Sequence, residues 1–387
     1  MINAMSIKPS ADSHWLRTGD EAFAQMLTAI DAAQKAVRLE MYIYTASPLG
    51  EQFRQGLIRA RQRGAQVRVL IDALGSLNLP ESFWEPLLAV GGEFKWFNPL
   101  KLQRLVYRDH RKILVCDHTV AFIGGLNIAP EYQGDGVTKG WRDLAVSITG
   151  TLVEELAFCF DTQFALADFK HKRFARLRRP MSRGILRTPE GELLLGSPGV
   201  GASPIKRALV KDLAAAKSVK IISAYFLPTW RIRRELMRIA REGGQVQLIL
   251  AGKSDVPLSQ LASQRLYRIL LRSGVEIYEY QPQILHTKLF IIDHIVYAGS
   301  ANLDPRSLSI NYELLVRFPK RLDYEAQAIF AGDLTHCRKI DGATWRKSRT
   351  LWRKLKERWA YFIIARLDPY LARRQLRTLR ATVVSQK

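Results

Sequence analysis

Two histidines and two lysines recur in the same order far apart in the chain. In YRDHRKILVCDHTVAFIGGLNIAP, beginning at Tyr107, His110 is followed by Lys112, Asp117 and Asn127. In LHTKLFIIDHIVYAGSANLDPRS, beginning at Leu285, His286 is followed by Lys288, Asp293 and Asn302. Residues two apart on an extended strand share a face, so each segment presents one imidazole beside one ammonium group. Asp117 and Asp293 follow their histidines by seven residues, an odd spacing that turns them to the opposite face of a continuous strand. They belong to the motif as local structural carboxylates. GGLN and GSAN place small residues before Asn127 and Asn302, where backbone amides and a side-chain amide can come close to a bound anion.

Two imidazoles, two ammonium groups and two amides, without a cluster of carboxylates able to hold a divalent ion, fit metal-free displacement at a phosphodiester. One neutral imidazole attacks phosphorus while the other, protonated, gives its proton to the departing alkoxide. The roles then reverse for an acceptor hydroxyl, with Lys112, Lys288, Asn127 and Asn302 stabilising the equatorial oxygens. An ordinary imidazole pKa of about 6.5 suits this exchange, because each ring must exist in both forms near neutral pH. Each ring also needs an acceptor to fix its tautomer. Candidate carboxylates exist in both halves: Asp143, in GWRDLAVSITG, lies 33 residues after His110, and Glu313, in INYELLVRF, lies 27 after His286.

The elements that must position these groups also repeat. A strand VRLEMYIYT from Val37, a helix through GEQFRQGLIRARQRG and a strand QVRVLIDALG from Gln66 match VKIISAYF from Val219, a helix through RIRRELMRIAREGG and QVQLILAG from Gln245. GGEFKWFNP likewise matches SGVEIYEYQP, and each leads into its motif. Two homologous α/β halves are expected, at 1–168 and 191–320, joined by a basic linker at 169–190 and followed by basic helices at 321–387. The first half carries an extra stretch, LKLQRLVYRD, just before His110. The linker holds eight Lys or Arg between Lys170 and Arg187, which suits either a solvated connector or an anion-binding rim. The interval from Asp293 to Gly299 is one residue shorter than that from Asp117 to Gly124, which is expected to shorten a turn.

With these motifs the chain resembles the phospholipase D superfamily, and within it the bacterial cardiolipin synthases, the narrower match being SANLDPRSLSINYE. The resemblance runs from about residue 20 to 318. It implies two α/β/α halves with mixed sheets packed face to face and one site at their interface. It falls on His110, Lys112, Asn127, Asp143, His286, Lys288, Asn302 and Glu313. An acidic residue downstream of each motif is implied to support that motif's histidine, which assigns Asp143 to His110. The implied activity moves a phosphatidyl group from phosphatidylglycerol to a lipid alcohol through a phosphohistidine at His110, with His286 as acid and base, and needs no cofactor. Hydrolysis by water, or cleavage of nucleic-acid phosphodiesters, are the neighbouring activities.

Composition is consistent with such substrates. The chain has 387 residues, 47% of them hydrophobic, which can fill two cores. Its net charge of +23 favours anionic partners, lipid or nucleic acid. Three cysteines without a CxxC pair suggest neither a disulfide framework nor a zinc site. Neither a signal peptide nor a membrane-spanning apolar run is evident, so an enzyme lying on the cytoplasmic face of the membrane is expected. Towards the C-terminus, Leu351, Trp352, Leu355, Trp359, Phe362 and Ile363 make one helical stripe, with Arg353, Lys354, Lys356 and Glu357 away from it. From 341 to 387 there are 13 Lys or Arg against 3 acids, a composition suited to the interface of an anionic leaflet. The alternative is that the stripe docks on the catalytic core. Asp368 and Pro369 read as the N-cap and first turn of a further helix.

Overall fold

Each half turns its repeated sequence into the same run of six strands within a larger sheet. A computed structural model describes residues 12–99, 107–167, 184–198, 203–320 and 322–372. Part of the LKLQRLVYRD insertion (100–106), most of the expected linker (169–183) and the end of the C-terminal segment (373–387) lie outside these residues.

The first half contains β1 (Ser13–Leu16), α1 (Gly19–Ala32), β2 (Ala36–Met41), α2 (Pro48–Gln62), β3 (Gln66–Asp72), α3 (Glu85–Ala89), β4 (Glu93–Phe97), β5 (Ile113–Cys116), β6 (Val120–Gly124), β7 (Ala145–Thr149) and α4 (Thr151–Ala167). The second contains β8 (Ile185–Arg187), β9 (Glu192–Gly196), α5 (Pro204–Ala215), β10 (Ser218–Ser223), α6 (Trp230–Arg241), β11 (Gln245–Ala251), α7 (Pro257–Arg272), β12 (Glu276–Tyr280), β13 (Lys288–Ile292), β14 (Ile295–Gly299), α8 (Pro305–Ser309), β15 (Glu313–Pro319), α9 (Asp323–Thr335) and β16 (Cys337–Lys339). The C-terminal layer adds α10 (Gly342–Lys347) and α11 (Leu351–Phe362).

The first sheet runs β1-β7-β6-β5-β2-β3-β4 and the second β16-β12-β11-β10-β13-β14-β15-β9-β8. Read from β4 to β7 and from β12 to β15, the two correspond strand for strand, with β2, β3 and β4 parallel and β5 antiparallel to β2. The stretch 184–190, expected in the linker, instead supplies β8, which pairs with β9 as an edge hairpin of the second sheet.

Strand alternation sorts the core into layers. Leu114, Cys116 and Phe122 face the first half's outer helices, whereas Ile113, Val115, Ala121 and Ile123 point the other way. They meet Leu289, Ile291, Val296 and Ala298 from the second sheet, with α4 and α9 completing this central layer. The second half's outer helices cover Phe290 and Ile292. The two sheets therefore pack face to face, which brings the starts of β5 and β13 to one interface. The shorter motif in the second half is absorbed in its turn: Cys116 pairs with Val120, but Ile292 pairs with Ile295.

The C-terminal stripe does not dock on the core. Helix α11, capped by Thr350 accepting from Arg353 N, packs along α7 with Glu357 and Ala360 buried. Trp352 and Trp359 remain 75% and 64% exposed. Asp368 does not start a new helix: it has helical dihedrals, and a π-turn over Ile363–Leu367 carries the helix past Pro369. That wider turn accommodates a residue with no N–H to give. The Asp368 carboxylate instead receives Arg306 at 2.7 and 2.8 Å.

Candidate active site

The geometry of the site begins with backbone hydrogen bonds that cross between the halves. His110 N donates to Tyr312 O at 2.9 Å, and Tyr312 N donates to Arg108 O at 2.9 Å. The partner arrangement has His286 N donating to Arg142 O at 2.8 Å and Arg142 N to Ile284 O at 2.8 Å. Each histidine is thus fastened to the residue immediately before the other half's carboxylate.

That fastening reverses the pairing expected from sequence. His110 Nδ1 lies 3.1 and 3.2 Å from the two Glu313 oxygens, and His286 Nδ1 lies 2.6 Å from Asp143 Oδ2. Asp143 serves His286, and Glu313 serves His110. Both contacts put a proton on Nδ1 and leave Nε2 free for chemistry. Lys288 Nζ also sits 2.7 Å from His286 Nδ1, but a nitrogen donating to Asp143 cannot accept from an ammonium group. The shorter carboxylate contact decides the tautomer.

All of these groups are buried, with Glu313 at 0% exposure and His110, the most open, at 9%. Burial, reinforced by Lys288, pushes His286 down to about 4 despite Asp143. Burial also lowers His110 against the pull of Glu313. The expectation of two ordinary imidazoles therefore fails, because burial beside two lysines disfavours their charged form. Burial likewise pushes Lys112 down to about 7 and Lys288 to about 8. For Glu313, burial is outweighed by His110 and Lys112, which hold the carboxyl below its usual range. A phosphodiester anion placed between these groups acts in the opposite direction, favouring protonated lysines and a protonated histidine.

The small residues before each asparagine have a different use from the one expected. Gly125 N and Ser300 N donate to Leu144 O and Leu314 O, so their amides are not available to an anion. A Cβ on Gly125 would lie 2.3 Å from Asp143 Oδ1, so the glycine makes room for the carboxylate. Ser300 instead hydrogen-bonds Glu313 through its hydroxyl. Asn127 accepts from Ile43 N at 3.0 Å and donates to the Tyr132 hydroxyl at 2.6 Å, bracing the surroundings of His286. Asn302 is 1% exposed, and its Oδ1 has no hydrogen-bond partner.

Asp117 and Asp293, counted with the motif, act at the far ends of β5 and β13. Asp117, at φ 53°, accepts from the amides of Gln34, Lys35 and Ala36, and Asp293, at φ 51°, accepts from those of Lys217 and Ser218. Each carboxylate ties its hairpin turn to the start of β2 or β10.

Sequence reasoning missed the aromatic walls. Tyr42 meets the His110 ring edge-on at 4.8 Å, while Tyr132 and Trp141 lie 5.3 and 5.7 Å from the His286 ring. They cover one side of each imidazole. Only the Trp141–Arg142–Asp143 adjacency gave any signal, since it placed an aromatic beside a candidate carboxylate.

Comparison with known proteins agrees with this geometry. A family model described as "Cardiolipin synthase, PLD-like domain" matches residues 26–136 and 209–334. Cardiolipin synthase B of Escherichia coli (strain K12) is 33% identical over 366 residues, covering 90% of this chain and 86% of that protein. Cardiolipin synthase 1 of Bacillus cereus is 30% identical over 381 residues, covering 94% and 74%. Among solved structures, a phosphatidylserine synthase from Haemophilus influenzae shares the fold with a TM-score of 0.72, at 15% identity and covering 93% and 94% of the two chains.

Proposed function

Because this chain belongs to the phospholipase D-like family of cardiolipin synthases, we propose that it transfers a phosphatidyl group from phosphatidylglycerol to a lipid alcohol and releases glycerol. The observation that carries the chemistry is the pair of buried imidazoles, each held at Nδ1 by a carboxylate and each accompanied by a lysine.

In the first step His110 Nε2 attacks phosphorus, the bond to the glycerol oxygen breaks, and His286 gives its proton to that oxygen. In the second, the acceptor hydroxyl attacks the phosphohistidine, His286 takes its proton, and the P–N bond breaks. Lys112 and Lys288 carry the charge on the phosphoryl oxygens. The low pKa of both free imidazoles suits His110 as a neutral nucleophile, and His286 gains its proton with the anionic substrate. The test is purified protein with phosphatidylglycerol vesicles in EDTA. Cardiolipin and glycerol in equal amounts are expected; phosphatidic acid alone would make the enzyme a hydrolase.

Peripheral association with the cytoplasmic leaflet belongs to the same reading. No helix among the described residues is long and apolar enough to cross a membrane. The exposed Leu351, Trp352, Trp359 and Phe362 of α11 form an apolar ridge amid cations, the arrangement of an interfacial helix. In W352A/W359A, partition onto vesicles containing phosphatidylglycerol should fall by about tenfold, given the apolar area withdrawn. Unchanged cosedimentation would remove the ridge from membrane binding.

A further inference from the structure

Between α7, α10 and α11 lies a cavity of about 410 Å3, lined by Gln264, Arg265, Arg268, Trp345, Arg346, Arg349, Lys354, Glu357 and Arg358. Six of the lining residues are cationic and one is a carboxylate; Arg265, Arg268, Arg346, Lys354 and Arg358 are exposed, and Arg349 is the buried cation of the set. Among the described residues, Arg265, Arg268, Lys354 and Arg358 make no ion pair.

Arg349 is the most informative wall residue. Its side chain is 5% exposed, its guanidinium carbon lies 3.1 Å from the Trp345 ring centroid, and its Nε and Nη2 have no hydrogen-bond partner. Glu357 Oε1 lies 3.0 Å from Arg349 Nη1 but outside hydrogen-bonding geometry, so this ion pair leaves the guanidinium fork largely unsatisfied. A buried planar fork with free N–H groups is matched by the oxygens of a phosphate. The pocket also adjoins the exposed ridge: Lys354 and Arg358 each precede a ridge residue, Leu355 and Trp359, by one position, about 100° around the helix.

We propose that this pocket binds a phosphate oxyanion outside the catalytic centre, its occupant being the headgroup phosphate of an anionic phospholipid whose acyl part lies along the α11 ridge. Phosphate bound there holds the enzyme on the membrane in a fixed orientation while the catalytic site works on another lipid. Free inorganic phosphate offers the same chemistry, so the experiment separates the two sources.

In the full chain, R268Q/R358Q is compared with K35Q/K217Q, which removes equal charge from exposed positions elsewhere. At constant ionic strength, R268Q/R358Q should lower partition onto phosphatidylglycerol vesicles by about tenfold or more relative to the control, the scale of two basic residues withdrawn from an anionic surface. It should also abolish the rise in Tm caused by inorganic phosphate. Loss of the Tm response with vesicle binding intact would assign the pocket to soluble phosphate. Equality with the control in both measurements would overturn the site. Should R268Q/R358Q lose its native circular dichroism, R265Q/R346Q, from the same walls, decides. The lipid arm rests on the ridge meeting a bilayer; if W352A/W359A rejects that reading, the phosphate arm still tests the pocket.

Discussion

H110N is expected to abolish phosphatidyl transfer, with turnover falling on the order of 10^4-fold or more, because His110 is the group assigned to form the covalent intermediate. A fall of that size corresponds to about 5.5 kcal/mol of lost transition-state stabilisation. H286N should lose natural-substrate turnover on a similar scale for a different reason, since its proton is needed by the leaving glycerol and its basicity by the acceptor. A p-nitrophenyl phosphodiester separates the two, because a weakly basic leaving group departs without a proton. With it, H286N should release one equivalent of p-nitrophenolate in a burst and then stall, leaving phosphohistidine at His110. H110N should give no burst. A burst from H110N with phosphorus on His286 would exchange the two roles. Both substitutions leave the backbone bonds of His110 and His286 to Tyr312 and Arg142 in place, so native circular dichroism should persist.

Much of this site was legible in the chain because it is built twice. One HxK on a strand carries little information, but its recurrence at His286 with matched flanking strands and helices identified both the sheets and their equivalence. The turn carboxylates were separable by parity alone: seven residues place Asp117 and Asp293 away from the imidazoles, and each proves to hold its own hairpin. What sequence could not carry was which half supplies which carboxylate. Periodicity constrains faces within a sheet, whereas the exchange depends on how two sheets dock, here through the Asp109–Tyr312 and Arg142–Leu285 bridges. The pKa values depend on the same docking. Neither His286 nor Lys112 has an unusual sequence neighbourhood, and both are displaced by burial in the interface that the two halves make together. The tail shows a related limit. Its apolar stripe was plain from spacing, but its packing by the opposite edge against α7 depends on Ala360, Tyr361 and Ile364 joining the second half's core, on Arg353 reaching Gln264 and on Glu357 beside Arg349.

The exchange of carboxylates makes a prediction that a same-half arrangement would reverse. E313Q, a change in the second half, should behave as a weakened His110 variant: the p-nitrophenolate burst should slow by about 10- to 100-fold, the usual cost of losing the group that orients a functional imidazole. Ser300 still bonds the side chain at that position, so the glutamine keeps its place while ceasing to stabilise charge on the ring. D143N, a change in the first half, should spare the burst and slow the later turnover, as a weakened His286 variant does. The couplings follow the same rule. On burst rate, which H286N retains, E313Q should slow the H286N burst by the same factor as it slows the wild-type burst, whereas D143N should add nothing to it. If instead D143N slows the burst and E313Q spares it, each carboxylate serves the histidine of its own half during catalysis. The 2.6 Å His286–Asp143 contact would then have to open before phosphorus is attacked.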